Sequence, residues 1–381
     1  MVRKIIYILI DIFSCIAPKN KKLLVFNSVP DFSDNSYALY KYCKENLNNY
    51  RLIWLVKQPK KILKNNKNIE IYSRISLKGI WCYIRAKYIF FTHGIYDNKI
   101  FIKNKICLWH GMPLKKIGYL SETEITLPPK MEIAISTSEY FQDIMSKVFN
   151  LNKDKVLIVG QPRNDLLFEK TKFYSKNKID KERYNKIFIW MPTFRKAIVD
   201  WQSSGVVQKN YISVLPFEKL KELNELLEKK QFLLIIKLHP FDILQNEKFE
   251  KFSNIIILKN EDLEKIDEQL YPLLGSTDAL ITDYSSVWID YEILDKPIFF
   301  AIHDYEEYKN TRGLLFEDFI DISPYSVIKD YKDFIKFIEN YEEVDTNNRK
   351  FTDKYNKYNK YKDNKSCERI IKYIGLDKNE K

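Results

Sequence analysis

The 381-residue sequence contains no G-x-G-x-x-G and no Walker A pattern, so neither a dinucleotide-binding fingerprint nor a P-loop is open to it. Five cysteines, at 15, 43, 82, 107 and 367, form no C-x-x-C pair and no zinc-ligand spacing. An odd, dispersed set reads as reduced thiols in a cytoplasmic protein, with Cys82 and Cys107 filling apolar core positions. No carboxylate pair or DxD-like site is evident, so no metal or other cofactor is expected to be required. The N-terminal apolar run, residues 5–17, is broken by Asp11 and falls short of the roughly 20 residues needed to span a bilayer. No convincing small-residue cleavage site marks it as a signal peptide. With Arg3 and Lys4 in front of it, it reads as a membrane-surface helix over residues 1–20 or, equally, as a first helix packed into the core.

What is present is a globular composition, 45% hydrophobic and 30% charged, with a net charge of +12. Such a balance points to an acidic partner: nucleic acid, an anionic membrane surface or a phosphorylated substrate. Apolar strand-like runs alternate with helical segments: strands at 22–27, 52–57, 88–92, 105–109, 133–137 and 156–159, and helices at 35–46, 77–86 and 139–148. A polar stretch, 169–186, interrupts the alternation. It then resumes with strands at 187–191, 232–238, 254–258, 279–282 and 297–301 and helices at 215–230 and 287–294. Continuous apolar strands of this kind suit parallel sheets covered on both faces. The expected class is therefore α/β, with two Rossmann-like domains facing across a cleft. The expected divisions are a first Rossmann-like domain at 21–170, a linker at 171–186, a second Rossmann-like domain at 187–345, and a C-terminal helix and tail at 346–381.

Chemistry-bearing residues gather at the expected strand ends. Trp109-His110-Gly111-Met112-Pro113-Leu114-Lys115-Lys116 follows one apolar run. A His beside a Gly at the carboxyl end of a strand sits where open α/β sheets place ligands, and the lysines add charge nearby. Gly160-Gln161-Pro162-Arg163-Asn164-Asp165 follows another; there Arg163 and Asp165 either orient polar groups or pair with each other to hold a turn. Met191-Pro192-Thr193-Phe194-Arg195 and Lys237-Leu238-His239-Pro240 end strands of the second half. Arg195 suits a bidentate phosphate clamp, and His239 is placed to touch a phosphate or sugar. Ile281-Thr282-Asp283-Tyr284-Ser285-Ser286 runs from a strand into a helix start, whose free N–H groups and hydroxyls suit a diphosphate; the alternative is an ordinary Ser cap. Arg312-Gly313 lies downstream as a further anion contact.

In this order, and together with Phe32-Ser33-Asp34-Asn35, these segments resemble the CDP-glycerol glycerophosphotransferase family of teichoic-acid and capsule synthesis, over residues 22 to 320. The resemblance implies a GT-B fold and peripheral association with the cytoplasmic face of the cell membrane. It implies transfer of glycerol phosphate, or a related polyol phosphate, from a CDP-polyol to a lipid-linked or growing glycan, with CMP released. By the same resemblance His110 is the general base. Arg195, His239, Asp283, Ser285, Ser286 and Arg312 form the donor site. Gly111, Lys115, Arg163, Asp165, Thr193 and Lys237 support the two centres. Two departures stand out: Met112 replaces a small hydroxylated residue, and Ile322-Ser323-Pro324-Tyr325 stands in place of a Pro-Gly-Pro. The expectation from the lack of the N-terminal region of the longer polymerases is a compact priming or single-addition enzyme, with a domain of the kind that capsule polymerases embed as the alternative. Three readings compete: a GT-B glycosyltransferase using a nucleotide-sugar, a basic nucleic-acid-binding protein, and a non-catalytic membrane scaffold. The lysines are spread over helices and tail rather than along one stripe, so no nucleic-acid partner is expected.

Overall fold

The computed structural model describes residues 2–60, 68–96, 103–121, 128–194, 210–240, 242–312, 314–316, 319–322, 325–344 and 356–376. The chain divides into two compact units: residues 1–112, 117–166 and 357–381 form the first, and residues 113–116 and 167–356 the second.

The first unit opens with helix α1 (Val2–Ile16), then β1 (Asn20–Asn27), α2 (Asp34–Asn46), β2 (Arg51–Val56), β3 (Glu70–Ser73), α3 (Leu77–Arg85) and β4 (Ala86–Phe91). It continues with β5 (Lys105–Cys107), β6 (Ile133–Ser136), α4 (Glu139–Phe149), β7 (Val156–Ile158) and α5 (Pro162–Asp165). The strands lie in the order β3-β2-β1-β4-β5-β6-β7, every neighbour parallel. Val25 is in register with Ile53 on one side and Ile89 on the other. The apolar runs read as strands are buried on both faces: Leu24, Val25, Phe26, Ile53, Trp54 and Phe90 are all fully covered. The strand order reverses between β1 and β4, and open α/β sheets bind ligands at the carboxyl ends beside such a reversal.

The second unit carries β8 (Lys186–Met191), β9 (Tyr211–Ile212), β10 (Leu215–Pro216), β11 (Phe232–Lys237), β12 (Ile255–Leu258), β13 (Ala279–Thr282) and β14 (Ile298–Phe300). Its five-stranded sheet has the order β12-β11-β8-β13-β14, again all parallel, and reverses between β8 and β13. The helix Leu220–Lys230 lays Leu220, Leu223 and Leu227 on this core at helical spacing, and Tyr331–Glu339 adds Phe334 and Ile338.

Four sequence expectations need correction. The stretch 171–186 is not a linker: it holds the short helix Phe173–Lys176, buries Phe173 and Tyr174, and bonds the Tyr174 hydroxyl to Ser276 Oγ at 3.0 Å. Two well-placed aromatics outweigh its polar composition. The helix expected from 215 begins at Leu220, because Leu215–Pro216 pairs antiparallel with Tyr211–Ile212. Strand β3 was absent from the sequence reading; it is an edge strand in which only Ile71 is buried, so it has no apolar run to show.

The fourth concerns residues 346–381: the expected C-terminal helix is present, but it is part of the first unit rather than a division of its own. The helix Ser366–Tyr373 returns to the first unit and buries Cys367, Ile370 and Ile371. Residues 345–355 and 377–381 lie outside the described ones.

Helix α1 is amphipathic in an unusual sense. Ile10, Asp11 and Ser14 face inward, whereas Leu9, Ile12, Phe13 and Ile16 are exposed, Ile16 by 71%. One face is therefore packed, partly against α3, and the other is an exposed apolar surface. On α3 and the turn before it, Ile75, Leu77 and Trp81 are exposed as well. Among the described residues no helix is long and apolar enough to cross a membrane.

Candidate functional site

Strand β5 delivers the chain into Leu108-Trp109-His110-Gly111. Trp109 takes a φ of +49° and Gly111 one of +134°, so the backbone turns sharply on both sides of His110. The second angle is one that a side chain would oppose, which gives Gly111 a backbone role. His110 is held through its main chain: its carbonyl accepts from Arg163 Nη1 at 2.9 Å, and the same nitrogen donates to Asp34 Oδ1 at 2.9 Å. Asn35 donates to the carbonyls of Leu108 and Trp109 at 2.9 and 3.0 Å, and its own oxygen accepts the Arg163 N–H at 3.0 Å. Arg163 thus pairs across α5 and α2 with Asp34, not with Asp165.

The His110 ring is enclosed by aromatic rings. His93 lies parallel to it, 3.9 Å between centroids and 6° between planes, and Trp109 lies 4.0 Å away at 34°. Trp109 in turn packs edge-on against Phe149 at 4.9 Å. The His110 Nδ1 atom is buried with no hydrogen-bond partner among the described residues. Loss of hydration is the main cause pushing this imidazole well below its ordinary range; His93 and Arg163 push the same way, and the Thr92 backbone opposes. His110 is therefore a neutral imidazole at neutral pH.

Asp165 does other work. Its carboxylate accepts the backbone N–H groups of Ser366 and Cys367 at 2.9 and 2.8 Å, capping the C-terminal helix. It is a structural cap, not a site residue, and the spacing that suggested an Arg–Asp pair is explained by two separate partnerships. Burial is the main influence on this carboxyl and raises it, against the pull of those N–H bonds.

In the second unit the reversal between β8 and β13 is spanned by side chains. Asp283 accepts the Thr193 N–H at 2.9 Å and its hydroxyl at 3.0 Å, while Thr282 Oγ1 donates to the Met191 carbonyl at 2.8 Å. Fully buried Asp283 fixes the turn after β8, on the far side of the reversal from its own turn. Ser285 and Ser286, both half-buried, follow, and Ser285 Oγ accepts the Val287 N–H at 3.4 Å. Ser286 makes no side-chain cap bond, so the ordinary Ser-cap alternative does not describe it. The helix that begins there, Val287–Tyr291, is only five residues long, shorter than expected, and ends in a 3₁₀ turn at Glu292–Leu294.

His239 follows β11 and packs against Phe194 at 4.5 Å. Burial first, and then the Lys237 and Lys115 cations, lower it to about 3, so it too is neutral. Lys237 is buried, donates to the Leu238 carbonyl at 2.8 Å and to Asn260 Oδ1, and is itself lowered to about 8 by burial. Lys115, only five residues after His110, belongs to the second unit. It bridges to Leu314, and its ammonium sits 5.0 Å from the centroid of the Tyr308 ring, which stacks on Tyr284 at 3.7 Å. Lys115 therefore supports the second centre rather than the His110 centre beside which it lies in sequence.

Arg195 and Gly313 lie outside the described residues, as do Ser323 and Pro324, and the side chain of Arg312 is likewise not described. Met112 is buried, with 1% exposure. The sequence reading passed over His93, although Thr92-His93-Gly94 repeats the signal of a His before a Gly at a strand end that singled out His110. It gave no role to Tyr284, quoted only within its segment, or to Tyr308, which carries no motif. Asp34 and Asn35 were noticed only as part of a segment.

Comparison with known proteins places this arrangement in a family. The family model described as CDP-Glycerol:Poly(glycerophosphate) glycerophosphotransferase matches residues 9–376. A teichoic acid poly(glycerol phosphate) polymerase of Bacillus spizizenii is 31% identical over 340 residues, covering 82% of each chain. A teichoic acid glycerol-phosphate transferase of Staphylococcus aureus is 25% identical over 334 residues, covering 81% of each. The polymerase of Bacillus subtilis is 26% identical, but the chain spans only 43% of its length. Among solved structures, the wall teichoic acid polymerase TagF superposes with a TM-score of 0.78 over 98% of this chain and 92% of its own, at 22% identity. That likeness shows the shared GT-B-like α/β fold. The chain belongs to the CDP-glycerol:poly(glycerophosphate) glycerophosphotransferase family of enzymes.

Proposed function

We propose that the chain transfers glycerol phosphate, or a related polyol phosphate, from a CDP-activated donor to a hydroxyl of a lipid-linked or growing cell-surface glycan. The observation that carries this reading is the His110 imidazole, kept neutral at the carboxyl end of a parallel strand with its carbonyl gripped by Arg163. A neutral ring has the lone pair a general base needs. The acceptor O–H gives its proton to His110 as its oxygen bonds to the β-phosphorus. The bond from that phosphorus to the bridging oxygen breaks, and CMP leaves with the electron pair.

The donor diphosphate is met by His239, Ser285 and Ser286, with Arg195 and Arg312 adding charge and Thr193, Lys115 and Lys237 in support. His239, held neutral, serves as an N–H donor rather than a cation. Preorganised donors at the leaving phosphate supply most of the rate. The relatives are named for teichoic acid glycerol-phosphate chemistry, and one TagF structure was soaked with CDPG. Family membership sets aside the nucleotide-sugar, nucleic-acid and scaffold readings. No metal is required, at most a stimulatory divalent cation: Asp283 turns both oxygens to Thr193.

The protein works as a peripheral enzyme at the cytoplasmic face of the membrane. Exposed Leu9, Ile12, Phe13 and Ile16 on α1, with Leu77 and Trp81 on α3, support an interfacial attachment, and Arg74, Lys78 and Arg85 lie close in sequence to meet anionic lipid. The test is incubation with an acceptor glycan and a panel of CDP-glycerol, CDP-ribitol and nucleotide-sugars. Release of CMP from a CDP-polyol, with polyol phosphate on the acceptor, is the expected result. Transfer from a nucleotide-sugar alone, with a nucleoside diphosphate as product, overturns the proposal.

A further inference from the structure

One histidine that neither the sequence reading nor the proposed chemistry uses, His93, lies against the one on which that chemistry depends. Strand β4 ends at Phe91, and Thr92 and His93 follow, at the β1/β4 reversal of the sheet. Thr92 is fully buried. Its Oγ1 accepts the Val29 N–H at 3.3 Å and shares a hydrogen bond of 2.8 Å with His93 Nδ1. The His93 ring is thereby tethered at one edge to a buried side chain. One of its faces covers His110 at 3.9 Å, nearly parallel at 6°, although His93 as a residue is exposed.

The His110 side chain itself has little else to hold it. The Thr92 backbone hydrogen-bonds to the ring, whereas the other described hydrogen bonds that fix this segment, from Arg163 and Asn35, reach its backbone. Its Nδ1 has no partner among the described residues. One hydrogen bond at a ring edge still lets an imidazole tilt about it, so flat contacts on its faces must fix its plane. Trp109 supplies one such contact, and His93 the other.

We infer that His93 is a positioning residue for the transfer: its Thr92-anchored ring, stacked on His110, sets the plane in which the base meets the acceptor hydroxyl. This rests on the reading of His110 as the base. It asks nothing of the His93 nitrogens toward substrate, so a flat apolar ring of similar size should do most of the same work. A side chain without a ring should not.

The experiment compares His93→Ala, His93→Asn, His93→Phe and His110→Ala in the full chain, reading transfer from CDP-glycerol by CMP release, and CDP affinity by calorimetry. His93→Ala and His93→Asn should lower kcat roughly ten- to a hundredfold, as misplacement of a catalytic group does, with KM for CDP-glycerol within about twofold of wild type. His93→Phe should recover kcat to within about threefold of wild type. Because His93 is exposed, all three variants should keep the wild-type melting midpoint. If His93→Ala keeps wild-type kcat while His110→Ala is inactive, the His93 inference falls and the base assignment stands. If His93→Phe is as slow as His93→Ala, the nitrogens matter and positioning by stacking is wrong. If His110→Ala is itself active, the reading beneath the inference fails, and that result is distinct from the other two.

Discussion

His110 in the first unit and His239 in the second both follow a parallel strand at a turn, and both are neutral, yet their surroundings differ in kind. His110 is framed by aromatic rings, with its backbone gripped by Arg163 and Asn35. His239, half-buried, packs against Phe194 under the influence of two lysines. Rings without a nearby counter-ion suit a group that must take up a proton and hand it on. Cations around a neutral N–H donor suit a group that must hold an anion. The difference teaches that one residue type, after a parallel strand in each of two sheets but on opposite sides of the strand-order reversal, is fitted to proton transfer in one unit and to phosphate in the other.

The contrast breaks most visibly at His110. His110→Ala should lower transfer by ~10²–10⁴, the usual worth of a general base, with CDP affinity unchanged. Near-wild-type turnover would remove the base from the first unit. On the other side, His239→Ala or the double change Ser285→Ala/Ser286→Ala should weaken CDP binding about tenfold or more, since hydrogen bonds to charged groups contribute ~1.5–3 kcal/mol each. Calorimetry showing wild-type CDP affinity would move the donor site elsewhere.

The pH behaviour sharpens the same comparison. Burial lowers His110, so the base stays unprotonated and kcat should hold as pH falls through 6.5. A pH–rate profile with its acid limb at or above 6.5 would contradict this. His239 falls to about 3 in the folded state against an unfolded value near 6.5, so the unfolded chain takes up a proton first as pH drops. Its contribution to stability is complete above 6.5 and is lost progressively down to about 3. Melting midpoints of His239→Gln should therefore decline less over that window than those of wild type; parallel curves would show that the ring is not kept neutral. The smallest effect expected on chemistry is at α1. Leu9→Asp with Phe13→Asp should lower binding to anionic vesicles while leaving CMP release from a soluble acceptor intact. Unchanged vesicle binding would place attachment on another surface.

Much of the fold was legible because buried parallel strands are continuous apolar runs: residues 232–238 and 279–282 could hardly be anything else. Edge strand β3 was not legible, since half its surroundings are solvent. The supposed linker was misread because composition counts residues, whereas Phe173 and Tyr174 act by where they pack. The strand-end residues of the site were legible in kind but not in partnership. Arg163 and Asp165 are two positions apart in sequence, yet Arg163 reaches Asp34 and Asp165 reaches Ser366, and no local pattern announces a contact across more than a hundred residues. Lys115 was assigned to the nearer histidine by sequence, and the fold gives it to the farther one.

The most direct test of this division measures both quantities on both variants: CMP release from CDP-glycerol with acceptor, and CDP affinity by calorimetry, for His110→Ala and His239→Ala side by side. The account predicts a crossing, with His110→Ala losing turnover and keeping affinity, and His239→Ala losing affinity about tenfold or more. If both variants lose the same quantity and keep the other, the two histidines do one job together, and the assignment of proton transfer to the first unit and phosphate binding to the second is wrong.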